Sequence, residues 1–150
     1  EITVFESWNL DNHFIILVMP GSWEFENFEC WSRGPWAGIQ YEYEPFEGRT
    51  TYAEQEGGGY YASRIGIAEH LHNIRRQARV VVFREIYEGY TIPLGVWQVR
   101  ENVRNAFSSE GRKFALVKEA LLYIGKHLRT PLNQYLSKSR IFRQRRLTDY

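Results

Sequence analysis

Apolar positions recur with two periods along the chain, near two residues in its first third and near 3.6 later. Ile2 to Trp8 begins in alternation, with Ile2 and Val4 on one side, before the phase breaks at Phe5; it reads as a strand. Asn9 to Asn12 is a turn, because Asp11 and Asn12 tolerate left-handed backbone angles. His13 to Met19 is a near-continuous apolar strand, so the two stretches predict a hairpin closed off by Pro20 and Gly21. Ser22 to Trp31 fits two periods. Trp23 and Phe25 alternate with Glu24 and Glu26 as in a strand, while Ser22 could cap a helix bearing Trp23, Glu26, Asn27 and Glu29; the strand is favoured. Ile39 to Tyr43 is again strand-like, with Glu42 and Glu44 expected outward and Pro45 ending it.

The helical period takes over after three consecutive glycines, Gly57 to Gly59. Glycines before a helix can cradle a phosphate. No Gly-Lys-Ser/Thr follows them, however, so close backbone packing at a helix start is the favoured reading. That helix is predicted over Tyr60 to Gln77, with Ala62, Ile65, Ala68, Leu71 and Ile74 as its buried stripe and Arg75, Arg76 and Arg79 clustered at its end. Val80 to Phe83 is a buried strand that ends in Arg84 and Glu85. Gly89 and Tyr90 turn the chain, and Pro93 and Gly95 punctuate the entry to a helix from Val96 to Phe107. Its apolar face is Val96, Val99, Val103 and Ala106; Trp97, Arg100 and Arg104 share a second face; Gln98, Asn102 and Asn105 fill most of the third. A further helix is predicted over Lys113 to Leu128, burying Leu116, Ala120, Leu121 and Ile124. Thr130 is the expected cap of a last short helix with Pro131 in its first position and Leu132, Tyr135 and Leu136 as its apolar face. The predicted class is α+β, a mainly antiparallel sheet with helices over one face. Residues 1–137 form one domain in this reading, and 138–150 a basic, extended C-terminal tail.

Composition adds bounds. With 150 residues, 43% of them hydrophobic and 16% aromatic, the chain can bury a sizeable core and is not a disordered segment. No apolar run approaches the ~18 residues of a membrane span. The start, EITVFES, lacks the basic and apolar regions of a secretory signal. Cys30 is the single cysteine, so the expected setting is a reducing cytoplasm. The net charge of +1 hides an asymmetry: residues 1–56 carry 11 acids and 2 Arg, whereas residues 57–150 carry 17 bases and 7 acids. Such polarity suits two halves that attract one another, and equally a nucleic-acid footprint on the basic side.

The candidate chemistry follows from these placements. Trp97, Arg100 and Arg104, together with Arg75, Arg76 and Arg79, could meet nucleic acid or a protein partner; the alternative is that these arginines pair with the chain's many glutamates. Arg84–Glu85 and Arg100–Glu101 are the best catalytic-looking pairs, with Glu85 a possible general base or metal-coordinating acid, though such a residue is more often a salt-bridge partner. His70 and His72 point apart at i, i+2, and Cys30 lacks a second thiol, so no metal site or cofactor is expected.

One long stretch carries a resemblance. IRRQARVVVFREIYEGYTIPLGVWQVRENVRNAF resembles the signature region of the archaeal Nre family of DNA repair proteins, in its C-terminal domain. SWEFENFECW with the following WAG, and TYAEQEGGGYYASRIGIAEHL, are similar to further parts of that domain. The end, QRRLTDY, resembles the family's tail that binds the sliding clamp PCNA. There Gln144, Leu147 and Tyr150 match the glutamine, aliphatic and first aromatic positions, and the second aromatic would fall at the position after Tyr150. A 3₁₀ turn repeats every three residues and would set Leu147 and Tyr150 on one side. The resemblance implies a DNA repair factor recruited through the clamp. A nuclease-like enzyme acting on damaged DNA and a non-catalytic adaptor are the alternatives. It also implies an N-terminal half with a cysteine-containing segment as a further partner. Because the chain begins at Glu1 without Met, it reads as a fragment.

Overall fold

The computed structural model describes residues 1–34, 37–90 and 95–143. Its strands are β1 (Ile2–Asn9), β2 (Asn12–Met19), β3 (Glu24–Trp31), β4 (Gly38–Glu44), β5 (Arg79–Ile86) and β6 (Arg112–Phe114). Its helices are α1 (Gly58–Ile74), α2 (Trp97–Phe107), α3 (Val117–His127), α4 (Leu132–Leu136) and α5 (Arg140–Arg143). The strands form one sheet in the order β4-β3-β5-β2-β1-β6. Every neighbouring pair is antiparallel except β3 and β5.

The first hairpin closes where expected, but its left-handed residues are Leu10 and Asp11 rather than Asp11 and Asn12, because Asn12 already pairs as the first residue of β2. Asn9 pairs with Asn12, and Leu10 and Asp11 both take positive φ, the two-residue turn that matches strand twist. From β3 the chain returns along β4, crosses through α1, and enters β5 parallel to β3. β5 therefore sits between β3 and β2 at the centre of the sheet.

Helices cover both faces rather than the one expected. Phe14 and Ile16 of β2 and Val80 and Val82 of β5 join Tyr60, Ala62, Ile67 and Leu71 of α1 and Val99, Val103 and Ala106 of α2. The alternate residues Ile15, Leu17, Val81 and Phe83 join Ala120 and Ile124 of α3, Tyr135 of α4 and Ile141 of α5. A strand apolar at every position has two faces to bury, and one helical layer cannot do both.

Four further expectations are corrected. Glu42 and Glu44 are buried, each held by an arginine, Arg49 and Arg64 respectively. Arg112–Phe114 pairs with β1 as an edge strand instead of starting a helix, which leaves Leu116 59% exposed. Ile65 and Ile74 of α1 lie outward, while Ser63 and Gly66 are buried. The reason is Gly66, whose missing Cβ leaves room for Val103 Cγ1 at 2.7 Å from where that atom would be, so the small residues face α2. Thr130 does not cap α4; its backbone N–H donates to Glu85 instead.

The domain runs on through Arg143. Ser139 and Ile141 are fully buried, and the Ser139 hydroxyl and the N–H groups of Arg140 and Ile141 all donate to Glu26.

Candidate functional site

Because β3 and β5 are parallel, their C-terminal ends share one edge of the sheet. The starts of α1 and α2 converge there. A Cβ on Gly59 would fall 2.2 Å from Glu29 Oε1, and one on Gly58 would fall 2.7 Å from Val96 Cγ1, so a side chain at either position would have to displace Glu29 or Val96. Neither helix has a side-chain cap or an acid in its first turn.

Beneath the two helix starts lies a buried polar cluster. Arg84, 5% exposed, donates through Nε to Asn12 Oδ1 at 2.9 Å and through Nη1 to Glu29 Oε2 at 3.2 Å. Its guanidinium also lies over the rings of Phe14 and Trp31, at 5.4 and 5.8 Å. Asn27 Nδ2 donates to Glu56 Oε1 at 2.9 Å. Glu42 accepts from Arg49 and from the N–H groups of Gln55 and Glu56, fixing the turn that delivers Glu56. From α2, Asn102 bonds back to the Gln98 carbonyl, and Gln98 reaches the Tyr90 hydroxyl.

Burial sets the electrostatics. It pushes the Glu29 carboxyl above the usual range, against the pull of Arg84 and the support of the Trp31 indole. It pushes Glu56 well above that range, and the neighbouring Glu29 charge adds to the effect. Burial works against Glu42 as well, but Arg49 and the backbone N–H groups outweigh it and hold that carboxyl low. Glu56 Oε2 and Asn27 Oδ1 are buried acceptors with no donor among the described side chains.

The residues singled out from sequence are dispersed. Arg84 belongs to the cluster. Glu85 points to the opposite face, where it accepts from the hydroxyls of Tyr87 and Tyr135 and the N–H groups of Arg129 and Thr130. Four donors fill a carboxylate's lone pairs, so Glu85 is an anchor for the α3–α4 connection rather than a free base. Arg100 and Glu101 lie on the outer side of α2, 3.8 Å apart. Arg104 is held by both carboxylate oxygens of Glu69 and by Glu101. Arg79 approaches Glu24 at 3.8 Å within the sheet. Arg75 and Arg76 are exposed at the end of α1, whereas Trp97, 57% exposed, is at the start of α2. Since Gly58 meets Val96 and Gly66 meets Val103, the two helices run alongside in the same direction. Trp97 and Arg75 are then separated by most of α1, about 24 Å at 1.5 Å per residue. Gln144, Leu147 and Tyr150 lie outside the described residues.

Glu29, Glu56, Asn27 and Asn12 were missed. For Asn27 and Glu29 the signal was present: Phe25 and Phe28 have opposite parity on one strand, so both its faces are buried and its polar residues with them, whereas Asn12 and Glu56 join from other segments. Among the described residues, no three His, Cys, Asp or Glu side chains are placed to hold a metal ion. No described helix is long and apolar enough to cross a membrane.

Residues 44–150 match the family described as archaeal Nre, C-terminal. The chain belongs to the archaeal Nre family. It is 38% identical over 148 residues to DNA repair protein NreB of Archaeoglobus fulgidus, a match that spans 93% of this chain and 38% of that protein. It is 38% identical over 117 residues to DNA repair protein NreA of Haloferax volcanii, covering 73% of this chain and 28% of that protein. NreA of Archaeoglobus fulgidus is 35% identical over 125 residues, covering 79% and 31%. The chain thus spans less than two fifths of the length of these Nre relatives. No solved structure matches it.

Proposed function

We propose that this chain is the C-terminal domain of an archaeal DNA repair factor and that its last residues recruit the protein to DNA through the sliding clamp. Membership of the Nre family, whose relatives above are named DNA repair proteins, supports the repair role. The clamp reading is supported by the tail's sequence together with the place the domain gives it: α5 is pinned to the sheet through Glu26 as far as Arg143, the last described residue before the Gln-x-x-Leu-x-x-Tyr spacing of Gln144, Leu147 and Tyr150. An anchored helix would hold the start of a short recognition motif at a defined place beside the sheet, which reduces the ordering cost of docking it.

Calorimetry with the archaeal clamp tests this directly. A peptide spanning Phe142 to Tyr150, and the whole chain, are expected to bind, and Leu147→Ala with Tyr150→Ala is expected to abolish binding in both. A version with one added Phe after Tyr150 should bind more tightly, because it completes the aromatic pair. Failure of both the whole chain and the extended peptide to bind the clamp would overturn the recruitment reading.

A further inference from the structure

We propose that the outer face of the Trp8 ring, with Arg129 beside it, is a stacking platform for single-stranded DNA on the side of the sheet covered by α3, α4 and α5. The surface does not involve the tail; the choice of DNA over RNA rests on the repair role proposed above. Trp8 and His13 stand opposite one another on β1 and β2, and Glu85 is the neighbour of His13 on β5. Trp8 is 53% exposed. A single exposed tryptophan is ordinary on a protein surface. What distinguishes Trp8 is how its ring is held.

Its inner face is stacked on His13, with ring centroids 3.8 Å apart and planes 11° from parallel. His13 is fixed in turn by the 2.6 Å hydrogen bond between its Nε2 and Glu6 Oε2. Tyr87 lies against Trp8 at 5.6 Å, and its hydroxyl donates to Glu85 Oε1. The same oxygen accepts the backbone N–H of Arg129, whose guanidinium lies 3.7 Å over the Tyr87 ring. Ring and cation thus share one neighbour, and buried groups beneath set both before any ligand arrives. Such pre-organisation lowers the ordering cost of binding. The Arg129 side chain stays 63% exposed.

The shape of the platform selects the ligand. A flat ring open on one face takes another flat ring, and a nucleobase offers its face only where it is not covered by its neighbours in a duplex. Charge adds the backbone. Arg112 lies over the ring of Tyr123, which donates to Glu6, and the exposed Lys126 is in the last turn of α3, so both stand near Arg129 and the platform. Glu6 is occupied by His13 and Tyr123. Glu88 approaches Arg129 only to 3.9 Å, with both side chains more than half exposed. An exposed pair of that kind is worth little, and a phosphate can take the place of the carboxylate. Cations around a held aromatic face match a strand, whose bases stack and whose phosphates are paired, better than they match an apolar protein surface.

Fluorescence anisotropy with the whole chain and a labelled oligothymidine of about 12 nucleotides is the test. Binding is expected, weakening as salt rises. Trp8→Ala should weaken it about 10-fold or more, and Trp8→Phe, which keeps a ring, by no more than about 3-fold. Tyr52→Ala, which removes an aromatic ring 87% exposed elsewhere, should leave it unchanged. Arg129→Ala should lower the slope against log salt by roughly 0.7, the share of one phosphate contact on a single strand. Tryptophan emission separates the platform from any loss of fold: the strand should quench it in the wild type, and Trp8→Phe should lose most of that quench while still binding. A duplex of the same length should be indifferent to Trp8→Ala. The clamp is absent from the assay, so its outcome is independent of recruitment through the tail. No binding by the wild type, a Trp8→Ala variant that binds as the wild type does, or a quench that persists in Trp8→Phe would overturn the proposal; the first two would leave this face to a protein partner.

Discussion

Ser139 donates its hydroxyl to Glu26 Oε2 at 2.6 Å, joining residues 113 apart in sequence. Tyr41 and the N–H groups of Arg140 and Ile141 complete the coordination of the same carboxylate. On the same face of the sheet, Glu85 holds Arg129, Thr130 and Tyr135 in a similar way. The polypeptide after α3 is thus hung on two buried glutamates from two adjacent strands. Hydrogen bonds to charged groups are the stronger kind.

Glu26→Ala should therefore cost about 3–5 kcal/mol of stability, the range for breaking a buried, charged hydrogen-bond network. Glu26→Gln should cost less, about 1–3 kcal/mol, since the amide keeps one acceptor but presents a donor to donors. Urea unfolding measures both. Hydrogen exchange should show Ser139 to Arg143 losing protection first in Glu26→Gln, with β5 unaffected. A variant as stable as the wild type, with α5 still protected, would mean that packing of Ile141 alone holds the segment.

At Gly66 the usual effect of a helix substitution should change sign. Replacing glycine by alanine in a helix generally stabilises by about 1 kcal/mol. Here the new methyl would lie 2.7 Å from Val103 Cγ1 and 3.1 Å from Val103 Cβ, both on a buried side chain of α2. Gly66→Ala is expected to destabilise by about 1–3 kcal/mol, the cost of overpacking. Adding Val103→Ala should recover part of the loss, which a double-mutant cycle in urea would quantify. Additivity of the two changes would rule out the contact as the cause.

What the sequence made legible divides along the same lines. Most strand and helix positions followed from periodicity, Arg112–Phe114 excepted, and the place of the first hairpin from the polar turn at Asn9 to Asn12, because those signals are local. The second helical layer was implicit in β2, HFIILVM, where residues of both parities are apolar. The polar cluster was hidden because acids in a strand are ordinarily solvated. Glu26, Glu29, Glu42 and Glu44 escape that rule only because Arg49, Arg64, Arg84 and backbone N–H groups from distant segments come to meet them. Apart from Arg49, 7 residues from Glu42, these partners are 20 to 115 residues away, beyond the reach of any short pattern. The charge asymmetry is in part this internal pairing: acids of the first 56 residues meet arginines of the rest.

That pairing bears on any contact with DNA. Arg104 is already neutralised by Glu69 and Glu101, whereas Arg75 and Arg76 are exposed. Binding of a DNA duplex to the chain should weaken across all sequences in Arg75→Ala with Arg76→Ala, with the slope against log salt reduced by roughly 1–2. Arg104→Ala should leave that slope unchanged. Fluorescence anisotropy at several salt concentrations measures both. Equal losses in the two variants would show that Arg104 leaves its glutamates on binding.

Stability against pH should report the buried pair. Glu29 and Glu56 have folded values above the ordinary 4.5, chiefly through burial, so the native state keeps protons that the unfolded chain has released. Their contribution is fully present below 4.5 and is lost as pH rises through the folded values. His13 acts in the opposite sense. Burial holds it below 6.5, against its bond to Glu6, so the unfolded chain binds a proton first and stability is lost as pH falls from 6.5 towards the folded value. Glu42, held below 4.5, matters only at lower pH. Comparing Glu56→Gln with the wild type cancels the His13 and Glu42 effects. The variant's advantage in melting temperature should widen as pH rises above 4.5 and level off once the wild type's folded carboxyl has ionised, because only the wild type must ionise a second buried carboxyl. An advantage that stays constant with pH would mean that Glu56 is charged throughout the range and that its repulsion from Glu29 is already relieved.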